Sequence, residues 1–228
     1  MIEIKKIRLM VLITSLLIIL LSLESITFIP HNYDGKPYED SVYKGGAQVI
    51  PGKIECAYYD LGGEGIAYHD FEIINKGSGE LNNFPDHHRP QATAYQWEFR
   101  KDEAVDISYT KDFADYNHND NYFTPPMNQL YIGWTEDNEW VNYTVNVKKA
   151  GKYRIVALYG NDANTIKFSI NNRPASVCNL PLSTGSMHKW NKAEIGTINF
   201  EDAGIQLLTF YYNKGNNFAC FEFILVPE

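Results

Sequence analysis

The sequence predicts an all-β protein, a β-sandwich of two antiparallel sheets, and three observations carry that prediction. Residues Trp140-Val141-Asn142-Tyr143-Thr144-Val145-Asn146-Val147 alternate with period two, with Val141, Tyr143, Val145 and Val147 on one face and Asn142, Thr144 and Asn146 on the other. That is the mark of a strand with one face buried. Lys148-Lys149-Ala150-Gly151 supplies a turn and Tyr153-Arg154-Ile155-Val156 a returning strand, which is a hairpin signal. Further strand-like segments recur about every 8 to 15 residues with turn residues between them, and no amphipathic helix of any length intervenes, the rhythm of a sandwich.

Taken in order, the chain opens with Lys5, Lys6 and Arg8 ahead of an apolar run from Leu9 to Leu23. The run is shorter than the ~20 residues a membrane span needs, so an export signal over residues 1–28 is expected. Ser22 and Ser25 are the only small residues near a cleavage point, which keeps an uncleaved signal-anchor as the alternative. The expected location is secreted, periplasmic or cell-surface, with membrane contact only through that segment if it is retained. Residues 29–50 are polar and rich in Gly and Pro and read as a linker; the folded domain is expected over residues 51–228.

Within the domain, Ile54 to Tyr59 reads as a strand and Gly62-Gly63-Glu64-Gly65 as a tight loop. No helix pattern and no Lys-Ser/Thr follow that loop, so it is not a phosphate cradle. Phe71 to Glu98 reads as a polar surface insertion, in which His87 and His88 point to opposite sides of an extended chain and make poor joint ligands. Trp97 to Ser108 returns to a strand-like pattern. Asp112 to Gln129 is a second insertion whose Asp115, Asn117, Asn119, Asp120 and Asn121 have the look of a calcium loop. It lacks the glycine at the sixth position and the closing glutamate, so it reads as a recognition or cover loop. The remaining strands are Ile166 to Ile170, Ala175 to Asn179, Lys192 to Phe200, Ile205 to Tyr212 and Phe218 to Val226.

Composition narrows the function. The formal net charge is -8, with no basic cluster beyond the first eight residues, which excludes a nucleic-acid surface because phosphate binding needs concentrated Lys and Arg. The sixteen Tyr outnumber the twelve Phe, so many rings need a polar edge as well as a packed face, as suits a β-protein that binds something polar. Cys56, Cys178 and Cys220 match no zinc spacing. A glycoside hydrolase would need two carboxylates ~5–10 Å apart. The acidic corner of Glu136, Asp137 and Glu139 reads as a solvated turn, and no nucleophile-elbow or zinc-protease motif occurs, so enzymatic activity is not expected.

Five stretches together resemble the family 6 carbohydrate-binding modules: IPGKIECAYYDLGGEGIAYHD (Ile50 to Asp70), FRKDEAVDI (Phe99 to Ile107), YIGWTEDNEWVNYTVNVKKAGKY (Tyr131 to Tyr153), STGSMHKW (Ser183 to Trp190), and AGIQLLTF through NFACFEFI. They span nearly all of residues 50–228 in the family's order. The resemblance implies a jelly-roll, galactose-binding-like sandwich that binds polysaccharide or oligosaccharide without cleaving it, with a separate glycoside hydrolase as a candidate partner. Sugars present a polar rim of hydroxyls and an apolar C–H face, so their sites pair an aromatic platform with amide or carboxylate groups.

By that resemblance Trp134 holds the place of a stacking ring and Asn217 that of a sugar-contacting asparagine. From the residues alone, a core Trp134 and a turn Asn217 stay open. The family's second ring follows the Thr-Gly of the Ser183 to Trp190 stretch, where this chain has Met187 and His188; His188 is a candidate hydrogen-bonder, and Glu64 completes the set. The family also tends to hold a structural calcium with two acids on the first strand and an aspartate on the last. Glu55 remains but Ala57 and Ala219 take the other places, so no cofactor is expected. First and last strands pair in such folds, which leaves a Cys56–Cys220 disulfide and buried free thiols both open. The alternative function is an adhesive or scaffold domain with a protein ligand.

Overall fold

The computed structural model describes residues 27–81, 93–111, 114–115 and 120–227. The expected export segment, but for residues 27–28, and the residues His87, His88, Asn117 and Asn119 lie outside the described part. Twelve strands form two sheets that make a jelly-roll sandwich: β1 (Gln48–Ile50), β2 (Gly52–Glu55), β3 (Tyr68–His69), β4 (Ile107–Tyr109), β5 (Leu130–Ile132), β6 (Trp140–Val147), β7 (Gly151–Gly160), β8 (Thr165–Ile170), β9 (Arg173–Asn179), β10 (Trp190–Phe200), β11 (Gly204–Tyr211) and β12 (Asn217–Leu225). The first sheet runs β1-β6-β11-β8-β9 with β3 added to β6, and the second β10-β7-β12-β5-β4 with β2 added to β12. Pairing is antiparallel apart from β1 on β6.

The alternation of β6 places Val141, Tyr143, Val145 and Val147 at 1% exposure or less. Opposite them, Phe210 of β11 meets Phe221 of β12 edge-on at 4.7 Å and Phe168 of β8 meets Phe221 at 5.1 Å. Rings from the two sheets thus interlock across the core, each buried side chain contributing about 1.5–3 kcal/mol. The polar face of β6 is not solvated, contrary to what the period-two pattern predicts. Asn142 donates through Nδ2 to the Ile66 carbonyl at 2.7 Å, and the Thr144 hydroxyl donates to Asp60 at 2.7 Å. A covering loop has taken the place of water, and each buried polar group keeps a partner.

The stretch read as a linker packs with the sandwich. Tyr33 donates to Asp60 at 2.6 Å, Tyr43 stacks on Tyr58 at 4.2 Å, Tyr38 is buried, and Gln48 to Ile50 form β1. Three tyrosines within a polar segment supply the apolar area that composition alone conceals. Just ahead of it, in the last residues of the expected export segment, Thr27 bridges to Ile205. The Trp97 to Ser108 strand reading is also corrected. Trp97 closes a one-turn helix, α1 (Ala94–Trp97), and strand geometry begins only at Ile107. Between them Arg100 is buried, with its guanidinium 3.4 Å from the Tyr59 ring centre and paired to Glu103 at 2.8 Å, which fixes the chain as a bend rather than a strand.

The second insertion acts as a cover. Tyr131, Leu158, Trp190, Ala219 and Cys220 make a small apolar cluster on the outer face of the second sheet, and Phe123 packs onto it. The strand order and the period-two faces explain why those five side chains meet.

Candidate functional site at the loop pole

One pole of the sandwich collects the starts of β6, β8, β10 and β12 and the ends of β7 and β11. The loops joining them are laced together by short amide and hydroxyl side chains. Asn216 donates its N–H to Thr135 Oγ1 at 2.9 Å, and Gly215 donates to the Thr135 carbonyl at 2.7 Å. Asp162 N–H reaches Asn216 Oδ1 at 2.6 Å, Asn216 Nδ2 reaches Asn164 Oδ1 at 2.9 Å, and Asn161 and Thr184 exchange bonds at 2.6 and 2.8 Å. Asn and Thr carry donors and acceptors on short stems, so they can satisfy backbone groups that turns leave unpaired. The pole is thereby rigid without secondary structure. These lacing residues escaped sequence reasoning; the runs NDAN and NKGNN were their only signal.

Trp134 rises from this lattice. Its backbone lies in the left-handed region at φ 48°, its side chain is partly exposed, and among the described residues it has no hydrogen-bond or ring partner. Asn217 opens β12 beside it. A Cβ added to Gly133 would fall 2.7 Å from Asn217 Oδ1, so the amide lies directly against the backbone that leads into Trp134. Asn217 Nδ2 donates to the Met187 carbonyl at 2.8 Å, and the Met187 side chain is 44% exposed. Three of the five expected residues, Trp134, Asn217 and Met187, are therefore brought together.

The other two are engaged elsewhere. His188 Nδ1 is 2.8 Å from Asp115 Oδ1, and the same oxygen accepts Trp190 Nε1 at 2.9 Å. Asp115 is wholly buried and orients His188 from the cover loop. Glu64 sits at a separate corner on the β3 side, where Oε1 lies 2.5 Å from His69 Nδ1 and Oε2 accepts the Asp70 N–H at 3.0 Å. Behind that corner Glu139, 3% exposed, accepts Phe71 N–H at 3.3 Å and Glu136 N–H at 2.8 Å. It is a brace between loops rather than part of a solvated turn. Burial first, then the charge of Glu139, pushes Asp70 up to about 7. Burial and the charges of Asp70 and Glu139 likewise push Asp106 up to about 7. Burial also raises Glu139.

The place of the family's calcium does not fit a calcium ion. Glu55 is paired with Lys53, its Oε2 accepts Gln129 Nε2 at 2.9 Å, and Ala57 and Ala219 are buried with no side-chain oxygen to offer. Calcium needs six to eight oxygens, whereas here an ammonium and an amide already engage the one carboxylate. Among the described residues no group of three or more His, Cys, Asp or Glu is arranged to hold a metal. All three cysteines are buried free thiols. Cys56 N–H donates to the Ala219 carbonyl at 3.0 Å, next to the pairing of β2 with β12, with no bond between the two sulfurs.

The family described as Carbohydrate binding module (family 6) matches residues 103–224. No curated protein matches the chain. Among solved structures, the chain is similar to a family 6 module of Clostridium stercorarium in complex with cellobiose, at 14% identity and TM-score 0.49 over 80% of this chain and 99% of that one. It is also similar to a β-1,3-glucan-binding module of Bacillus halodurans, at 13% identity and TM-score 0.44 over 78% and 98%. A module of Cellvibrio mixtus lichenase 5A in complex with cellotriose is similar at 17% identity and TM-score 0.38 over 43% and 79%.

Proposed function

This chain belongs to the family 6 carbohydrate-binding modules, and on that premise we propose that it binds polysaccharide or oligosaccharide at the loop pole without cleaving it. The observation that carries the reading is Trp134: a partly exposed ring with no hydrogen-bond or ring partner among the described residues, set on the loop lattice beside the amide of Asn217. A sugar ring laid on the indole would bury its C–H face while its hydroxyls reach the neighbouring amide. Asn217 Oδ1 has no donor among the described residues, so an acceptor stands ready for a sugar hydroxyl. The export segment expected at residues 1–28 would bring such a module to extracellular glycan, where it could direct a separate glycoside hydrolase to its substrate.

Affinity electrophoresis of the chain and a Trp134→Ala variant against plant, algal and host polysaccharides tests the reading. Retardation by at least one polysaccharide, weakened in the variant by about 1–3 kcal/mol on the scale of ring stacking against bases, is expected. No retardation of either form would transfer the argument to a protein-binding scaffold on the same fold.

A further inference from the structure

Met187 stands where a second ring is expected, and among the described residues Trp134 is the one ring of the candidate site, yet a row of aromatic faces stands at the adjoining corner. His69 of β3 and Trp140 of β6 are cross-strand partners with ring centres 6.3 Å apart, and Phe71 meets His69 edge-on at 5.0 Å. Phe71 is 60% exposed, and Ile73 beyond it 91%. Single exposed apolar residues need no explanation, but a contiguous row beside a candidate site does. The row is also held in place. Glu64 fixes His69 and the Asp70 N–H, and the buried Glu139 carboxylate accepts Phe71 N–H on one oxygen and Glu136 N–H on the other. One carboxylate therefore ties the Phe71 turn to the loop that carries Trp134.

We propose that Phe71, with His69 and Trp140, forms a second aromatic subsite for an uncharged sugar ring of the same glycan chain that Trp134 holds. The inference rests on the carbohydrate-binding reading above. The occupant follows from the chemistry around the row. The exposed Phe71 ring offers an apolar face, and Glu64, held against His69 and the Asp70 N–H, stands beside it with acceptors suited to hydroxyls. The nearby cations are taken, Lys76 by Glu72 at 2.7 Å and Lys214 by Glu136 at 3.0 Å. A uronate or sulfated sugar would meet uncompensated negative charge there, whereas a neutral ring would not.

The test uses the full chain, Phe71→Ala and Trp134→Ala, titrated by calorimetry with neutral β-glucan, xylan and mannan and with the disaccharide and hexasaccharide of whichever binds. Phe71 is exposed, so a melting curve matching the parent is expected for its variant. The expected result is hexasaccharide binding weakened about tenfold or more by Phe71→Ala, with disaccharide binding unchanged. Hexasaccharide binding equal to the parent's in Phe71→Ala but lost in Trp134→Ala would overturn the second subsite and leave the carbohydrate reading intact. Binding of alginate or carrageenan in preference to every neutral glycan would overturn the choice of an uncharged ring. No binding of any glycan by the parent chain would overturn both the subsite and the reading beneath it.

Discussion

Asn217 donates through its side-chain nitrogen to the Met187 carbonyl at 2.8 Å, so the residue aligned with a sugar contact also pins the loop on which the second ring is missing. Asn217→Ala should therefore do two things at once. It removes the hydrogen bond that holds the Met187 carbonyl, worth about 0.5–1.5 kcal/mol, and it frees the Ser183 to Trp190 loop. Urea denaturation should show the stability loss and affinity electrophoresis a loss of glycan binding.

Trp134 separates binding from folding in the opposite way. An L-residue in the left-handed region costs about 1–2 kcal/mol that glycine does not, and Trp134 sits there at φ 48°. Trp134→Gly should keep or raise the urea midpoint while abolishing retardation by polysaccharide. A lowered midpoint would instead mark the indole as core.

Stability should fall as pH rises. Asp70 and Asp106 both titrate near 7 when folded, through burial and mutual repulsion with Glu139, against an unfolded value near 4. A raised folded pKa means the native state holds protons that the unfolded state has released, so their stabilisation is complete below about pH 4 and gone above about pH 7. The groups facing this cluster are Glu64, Lys76 and the buried Tyr212 hydroxyl. Denaturation midpoints measured from about pH 4 to about pH 8 should decline in the parent and decline less in Asp70→Asn.

Calcium should not matter to folding. A ligand at 100 times its Kd adds about 2.7 kcal/mol, which would move a melting temperature by several degrees. With Glu55 engaged by Lys53 and Gln129, melting curves in calcium and in chelator should superimpose.

The thiols should be silent until the chain unfolds. Cys56, Cys178 and Cys220 are buried, and burial, with Glu55 nearby, pushes Cys220 up to about 12, far from the thiolate a disulfide reagent needs. Ellman titration should find none in the native protein and three in urea.

Much of the fold was legible because β6, β7, β10, β11 and β12 carry their period-two faces openly in the chain. What stayed hidden is non-local. Asn142 and Thr144 look solvent-facing until the Asp60 loop folds over them, and Tyr33, Tyr38 and Tyr43 look like linker residues until Tyr58 and Asp60 receive them. Motif order located Trp134, Asn217 and Met187 at one place, since each lies where a strand begins or a loop turns at the same pole. It could not foresee that Asp115, inside an insertion, would claim His188, nor that His69 and the Asp70 backbone would claim Glu64. Partners from inserted loops leave no periodic trace.

The bridge between Thr27 and Ile205 has a consequence for how the molecule is presented. Ile205, the second residue of β11, lies opposite Asn146 near the end of β6, and Leu225 closes β12 opposite Tyr153 near the start of β7. Both ends of the described chain thus emerge at the pole remote from Trp134. A surface, a stalk or a fused domain joined at either end would hold the glycan-facing loops outward, like a palm turned away from the wrist, and immobilising the protein through either end should leave them unobstructed.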